Sequence, residues 1–305
     1  MRPKIVFLVG PTAIGKTEIA LILAKKINAR IISCDSMQIY KGMDIITAKP
    51  SLNLRKRIPQ YLIDIVSPTQ DFDVARYRKK ALVCIGKILK NKNTPLFVGG
   101  TGLYVSCVID GIFKMQAHNI STRRQLYKEA EARGRDYLYG QLKKIDPDAA
   151  EKIHPHDTKR IIRSLEVFRI TGKPISFLQK QRKPLTELYD IKIFGLDMER
   201  KKLYHRIDSR VNEMFEQGLL DEVRRLLKLR LGKTASFAIG IKELKGYFKG
   251  AYDLEEAKRI IKRNSRQYAK RQLTWFRKDK RINWVNIDAK EKPKEIADKI
   301  WKKLS

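Results

Sequence analysis

Along the first third of the chain, compact apolar runs that end at loops alternate with longer stretches whose apolar residues recur at helical spacing. Lys4–Val9, Arg30–Ser33 and Pro95–Val98 are runs of the first kind, and Ile19–Ile27 and Val74–Leu89 between them are of the second. Strands alternating with helices predict an α/β fold, a parallel sheet covered by helices on both faces. From Asn119 to Leu178 the pattern changes. Strand signals vanish, charges multiply, and short helical patterns are separated by Gly134, Asp146-Pro147, His154-Pro155 and Gly172-Lys173-Pro174. Sheet character returns at Ile191–Leu196. A long helix follows, with apolar Leu203, Ile207, Val211 and Met214, and a last helix runs roughly from Leu254 to Arg277. In that helix Ile261, Tyr268 and Trp275 recur every seven residues and so share a face.

The junction of the first strand and first helix reads Gly10-Pro11-Thr12-Ala13-Ile14-Gly15-Lys16-Thr17. Gly, four residues, then Gly-Lys-Thr is the spacing of a P-loop. Its glycines let the backbone curl so that several N–H groups point at one anion, and the helix N-terminus adds its positive dipole end. Lys16 brings a full charge to a phosphate, and the Thr17 hydroxyl is placed to bind Mg²⁺. The expected organisation is a P-loop catalytic core over residues 1–112 and 190–305, with C-terminal helices, and a small helical insertion domain over 113–189. That is a P-loop NTPase-like parallel sheet flanked by helices.

Composition sharpens this picture in one respect. The 305 residues are 43% apolar, enough for a real core, yet carry 66 Lys and Arg against 33 Asp and Glu, a net charge of +33. The excess is spread along the chain, so it is no detachable arm. It points to a polyanionic partner or to an organism whose proteins are Lys-rich, and the two readings are compatible. The stretch Ala257–Arg281 alone holds eleven Lys or Arg and one acid, Asp279. Cys34, Cys84 and Cys107 have no paired spacing and read as reduced core thiols of a cytoplasmic protein. No apolar run approaches the roughly 20 residues that span a bilayer. His154 and His156 flank Pro155 without a further Cys or His cluster, a poor zinc pattern.

Candidate chemistry clusters at strand ends. Ser33-Cys34-Asp35-Ser36-Met37-Gln38 follows the second strand, on the edge of a parallel sheet that carries the P-loop. Asp35 there can hold Mg²⁺, act as a general base, or cap the following turn. Pro95–Val98 runs into Gly99-Gly100-Thr101-Gly102 with no acid, which lowers the odds of an ATP-driven motor. Those glycines would let a bulky group approach the backbone.

Taken together the segments resemble the tRNA dimethylallyltransferase family. They are Gly10–Thr17, Asp35–Gln38 with Ile39–Asp44, Thr47-Ala48-Lys49-Pro50, Gly99–Tyr104, Ile153-His154-Pro155, Arg160–Arg163 with Leu165-Glu166-Val167, Thr171–Pro174, Arg206–Arg210, and Arg266–Gln272 with Thr274-Trp275-Phe276. The resemblance implies transfer of a dimethylallyl group from its diphosphate to the exocyclic amine of an adenine next to the anticodon, with diphosphate released and Mg²⁺ as cofactor. It makes Gly10, Pro11, Thr12, Ala13, Ile14, Gly15, Lys16 and Thr17 the diphosphate cradle, and Asp35, Thr101 and Arg210 the catalytic residues, with Asp35 as base. It implies tRNA contacts at Asp35, Ser36, Met37, Gln38 and Thr101, at Arg123, at Lys159, Arg160, Ile161, Ile162 and Arg163, and at Lys270 and Arg271. Gln38 has the donor and acceptor to read an adenine edge. The target base would have to leave its stack. By the same resemblance the enzyme is a cytoplasmic monomer with tRNA and dimethylallyl diphosphate as partners. The alternatives are a P-loop small-molecule kinase, which leaves the basic C-terminal helix unexplained, and a non-catalytic nucleotide-regulated RNA-binding protein. Met37 stands where the family often has arginine, Ile46 where glycine is usual, and Ile241 in place of a common tyrosine.

Overall fold

The computed structural model describes residues 2–113 and 120–304. Asn119, and with it 114–119 of the expected insertion, lies outside the described residues. The chain divides into two compact units, one formed by Met1–Ile109 with Leu185–Ser305 and the other by Asp110–Pro184.

The first unit is built on one parallel sheet. Its strands are β1 (Lys4–Val9), β2 (Ala29–Ser33), β3 (Gln60–Tyr61), β4 (Thr94–Gly99), β5 (Asp190–Asp197) and β6 (Ile282–Asn286), in the order β3-β2-β4-β1-β5-β6. β1 explains why its sequence reads as an unbroken apolar run: both of its faces are covered. Ile5, Phe7 and Val9 enter one core, with Ile32, Phe97 and the helix Val74–Lys90. Val6 and Leu8 enter the other, with Leu96, Phe194 and the helices Lys16–Lys26 and Pro293–Lys302. Phe7 and Phe97 stack across the β1–β4 pair at 4.5 Å. Each such buried side chain contributes about 1.5–3 kcal/mol.

The chain leaves β1 toward β2 and later crosses β1 to reach β5, so the strand order switches direction at β1. Ligands of open parallel sheets sit at that switch, outside the carboxyl ends of the strands. The P-loop leaves β1 there, the Asp35 loop leaves β2, and the Gly99–Gly102 loop leaves β4.

Three expectations need correcting. The sheet has two strands beyond those read. β3 is two residues long, too short for a periodic signal, and β6 alternates buried Ile282 and Val285 with exposed Asn283 and Asn286 on a charged background. The helix Leu254–Phe276 is not the last, since Pro293–Lys302 follows β6 and covers the P-loop helix through Ile296, Ala297 and Ile300. The core stripe of Leu254–Phe276 is Ala257, Ile261, Ala269, Gln272 and Phe276, whereas Trp275 is 39% exposed. Tyr268 and Trp275 face the Gly-rich loop instead, as described below.

Among its described residues the second unit has helices and no strand, with helices Ile120–Arg133, Arg135–Ile145, Pro147–Lys152, Thr158–Thr171 and Ile175–Lys180 around a core that includes Leu126, Leu142, Ile161 and Leu165. Its punctuation residues act as boundaries. Asp146 caps the helix that begins at Pro147, Asp157 accepts from the Arg160 N–H, and Gly172 closes its helix in the left-handed conformation. None of the helices among the described residues is long and apolar enough to cross a membrane.

The lip of the crevice hangs on one buried carboxylate. Glu222, 2% exposed, accepts from the N–H groups of Asp44, Ile45 and Ile46 at 2.8–2.9 Å. Beside it Ile46 lies against Gly240, the residue before Ile241, so the larger side chain at 46 and the smaller one at 241 stand together. Replacing Glu222 with leucine strands three donors at once, one of them, the Ile46 N–H, fully buried. Glu222→Leu is expected to lower stability by about 3 kcal/mol or more in urea unfolding; a loss within about 0.5 kcal/mol would contradict this account of the lip.

Candidate active site

Local geometry prepares an anion site before any ligand arrives. Ala13 (φ 63) and Gly15 (φ 96) turn left-handed within four residues, which swings the successive amides of the loop inward. Gly15 is also the N-cap of the helix Lys16–Lys26 and offers no side chain to satisfy its first N–H groups. Ala13 accepts a backbone conformation that few non-glycine residues adopt, and such strain gathers at functional loops.

A cavity of about 410 Å³ opens over this loop, lined by Thr12 to Glu18, Asp35, Gln38, Gly99, Gly100, Arg206, Arg210, Tyr268 and Gln272 among others. A second of about 550 Å³, with Lys41, Lys49 and Arg55 in its wall, shares Ala48, Arg210 and Glu213 with it. Three sequence-predicted groups therefore meet in one space: the P-loop, Asp35 and Arg210. Lys16, Arg206 and Arg210 are the Lys and Arg side chains in the first cavity's lining. Lys16 Nζ donates to the carbonyls of Gly10 and Pro11 at 3.0 and 2.6 Å, folded back on its own loop. Burial, and then the nearby Arg210 guanidinium, push the Lys16 ammonium down to about 7, with Asp35 pulling the other way. Arg210 Nη1 donates to the Thr12 hydroxyl at 3.4 Å, and its own pKa is lowered by burial. Asp208, two residues before it, holds Arg266 with both oxygens at 2.7–2.8 Å.

Asp35 fills one of the roles weighed for it, the cap of the following turn. Its Oδ1 accepts from the Met37 and Gln38 N–H groups at 2.8 and 3.3 Å, which caps the turn. Oδ2 makes no hydrogen bond among the described residues. Thr101 braces the same turn: its N–H donates to the Cys34 carbonyl at 3.1 Å and its hydroxyl oxygen accepts from the Ser36 N–H at 3.0 Å. Thr101 therefore acts through the Asp35 loop. Gln38 is anchored by the Ser33 hydroxyl at 3.2 Å and by the Thr47 and Ala48 carbonyls at 3.3 and 3.4 Å, with its side chain in the cavity wall. The half-buried Tyr268 phenol is pushed up by desolvation and then by the Asp35 charge, so it stays protonated beside that carboxylate.

Mg²⁺ fits the donor chemistry without a protein cage. Among the described residues no group of three or more His, Cys, Asp or Glu side chains could enclose a metal. Mg²⁺ keeps most of its waters and substrate oxygens, and needs only one or two protein donors, here the Thr17 hydroxyl in the cavity wall.

In the helical unit Lys159 and Arg160 are exposed, and Arg123 and Arg163 both reach Glu166, at 3.2 and 2.8 Å. Ile161 and Ile162 are corrected: both are 0% exposed, turned into the unit's core by helical periodicity, so their side chains cannot meet an RNA. Tyr268 and Gln272 are among the cavity-wall residues that the sequence reading did not name as site residues. Only the close approach of their helix to the glycine loop reveals them.

A parallel sheet with a P-loop at its switch point, and Lys16, Arg210 and a braced Asp35 in the cavity over it, defines a P-loop protein. Comparison makes this specific. The family model for IPP transferase matches residues 38–279, and that for isopentenyl transferase matches 3–66. A tRNA dimethylallyltransferase of Halothermothrix orenii is 49% identical over 304 residues, covering 99% of this chain and 92% of the relative. Among solved structures, the tRNA isopentenylpyrophosphate transferase of Bacillus halodurans aligns with a TM-score of 0.73 at 40% identity, over 99% of this chain and 97% of that one. A eukaryotic dimethylallyltransferase acting on tRNA aligns with a TM-score of 0.73 at 28% identity, over 93% and 74%. The chain belongs to the IPP transferase family, which favours the prenyltransferase reading over a small-molecule kinase or a non-catalytic RNA-binding protein.

In the unfolded chain Lys16 titrates in the usual lysine range, and in the fold burial pushes it down to about 7. Between those values unfolding takes up a proton, so stability rises with pH across the window. Lys16→Met should therefore be more stable than the parent at pH 7, by about 2 kcal/mol. That advantage should fade as pH approaches 10. Urea unfolding at several pH values checks it, and a gap that does not change with pH would contradict it.

Proposed function

We propose that this protein transfers a dimethylallyl group from dimethylallyl diphosphate to the exocyclic amine of an adenine next to the anticodon of tRNA, releasing diphosphate. The observation that carries the reading is that Asp35 and the Lys16–Arg210 pair share one cavity. The reaction needs an acid–base group on one side of the attacked carbon and an anion seat on the other.

An adenine amine is a poor nucleophile because its lone pair is delocalised into the ring. Asp35 takes a proton from that nitrogen as the new C–N bond forms, general base help of the usual kind. The C–O bond to diphosphate breaks in the same step, and charge grows on the departing oxygens. Those oxygens lie against the amides of Ala13 to Thr17, with Lys16 released from its own carbonyls to meet them and Arg210 swung from Thr12 onto the leaving group. Bound Mg²⁺ would neutralise part of the diphosphate charge, held on the protein side by Thr17. Ser36, Met37 and Gln38 form the rim where the base enters.

The tRNA backbone lies on basic surface. Lys270 and Arg271 are exposed on the helix Leu254–Phe276, and Lys159, Arg160 and Arg123 supply cations on the helical unit. The net charge of +33 suits a polyanion. The reading places a single chain per site, acting in the cytoplasm where tRNA is.

The test is mass analysis of tRNA digests after incubation with Mg²⁺, dimethylallyl diphosphate and unmodified tRNA. One adenosine should gain a prenyl unit; no gain with any tRNA contradicts the reading. Asp35→Ala should lower kcat by about 10²–10⁴-fold while tRNA affinity stays within about twofold. An unaltered rate would remove Asp35 as the base. For the double variant Lys270→Ala/Arg271→Ala, the slope of log affinity for tRNA against log salt should be shallower by about 2. An unchanged slope would clear both residues of phosphate contact.

A further inference from the structure

One buried glutamine joins the two halves of the proposed reaction. Gln272 is 5% exposed on the inner face of the helix Leu254–Phe276. Its Oε1 accepts from the Thr12 N–H of the P-loop at 2.9 Å. Its Nε2 donates to the carbonyl of Gly100 at 3.0 Å. Thr12 belongs to the diphosphate loop, and Gly100 adjoins Thr101, which braces the Asp35 turn. The carboxamide thus spans the crevice between the anion seat and the base with one side chain of fixed length.

The surroundings leave that carboxamide no freedom. A Cβ on Gly100 would lie 2.1 Å from Gln272 Nε2, and a Cβ on Gly102 would lie 2.1 Å from Trp275 Cδ1. The glycine loop therefore lacks side chains where this helix presses on it. The same turn of the helix carries Lys270 and Arg271 on its exposed side. Thr12 spends its N–H on Gln272, so that amide is a fixed strut of the P-loop and not one of the diphosphate donors.

We infer that Gln272 is a positioning residue that sets the separation between the diphosphate loop and the Asp35 loop, and so holds the departing and attacking groups in line. The inference rests on the prenyl-transfer reading above. Misplacement of reacting groups by about 1 Å costs on the order of 100-fold in rate. Ground-state binding should be far less affected, because Gln272 touches neither phosphate nor RNA in this scheme.

Two variants separate the contributions. Gln272→Met keeps the volume and removes both hydrogen bonds. Gln272→Glu keeps the acceptor for Thr12, and when ionised sets a carboxylate oxygen against the Gly100 carbonyl. When protonated, the same side chain can donate to Gly100 again. The wild-type enzyme is run in parallel, so a failure of wild-type transfer is a failure of the functional reading and not of this one. For Gln272→Met, kcat should fall about 100-fold, while the dissociation constants for inorganic pyrophosphate and tRNA stay within about threefold. For Gln272→Glu, the ratio of variant to wild-type kcat should rise as pH drops from 8 to 6, as the carboxyl regains its proton. A Gln272→Met enzyme within about threefold of wild-type kcat would overturn the inference, and so would a loss expressed wholly as weaker binding. Should Gln272→Met fail to fold, a Gln272→Glu ratio that does not vary with pH overturns it alone.

Discussion

Two cations in the lining of one cavity, Lys16 and Arg210, set the terms for this fold. They are brought together at the carboxyl end of β1; desolvation lowers the titration of both, the Arg210 charge lowers Lys16 further, and Asp35 pulls both the other way. Such a pair is costly by itself and is favoured by negative charge beside it. The parallel sheet makes the arrangement affordable. It anchors the P-loop on a fully buried strand, and it delivers Arg210 from the helix Arg200–Glu216, whose Leu203, Ile207, Val211 and Met214 are all packed inward.

Around that charge the crevice is assembled from loops that would be soft alone. Each is pinned by a single polar side chain from elsewhere in the chain: the Asp35 turn by Thr101, the 44–46 lip by Glu222, the glycine loop by Gln272. All three bridge more than 60 positions in sequence. The catalytic geometry is thus a property of the tertiary fold, and the local motifs supply only its parts.

This division explains what could be read from the sequence. β1, its P-loop and the helix Arg200–Glu216 were legible because each carries a strong local signal, an apolar run, a spaced motif or a 3.6-residue stripe. The helical insertion was legible through its breakers, since Gly134, Asp146-Pro147 and Gly172 stand at helix ends. β3 and β6 escaped, one for shortness and the other for its charged setting. Tyr268 and Trp275 repeat with the apolar spacing of Ile261 yet face the glycine loop, because a helix clamped on two sides has two buried faces and periodicity cannot tell them apart. Gln272 lay within a family-like segment, Arg266–Gln272, but nothing local marked it as buried. A glutamine in a basic helix reads as solvated until the backbone of Gly100 is seen against it. Ile161 and Ile162 were carried into the RNA-contacting segment with their charged neighbours, although their own helical phase already placed them inside.

The central claim is that the P-loop and Lys16 hold a diphosphate that leaves from carbon. A crystal structure with a non-transferable thiolo analogue of dimethylallyl diphosphate and Mg²⁺ tests it most directly. The account predicts both phosphoryl groups within hydrogen-bond reach of the amides of Ala13 to Thr17 and of Lys16 Nζ, with the prenyl carbon turned toward Asp35. Phosphoryl groups seated anywhere else, with Lys16 still folded on Gly10 and Pro11, would contradict it.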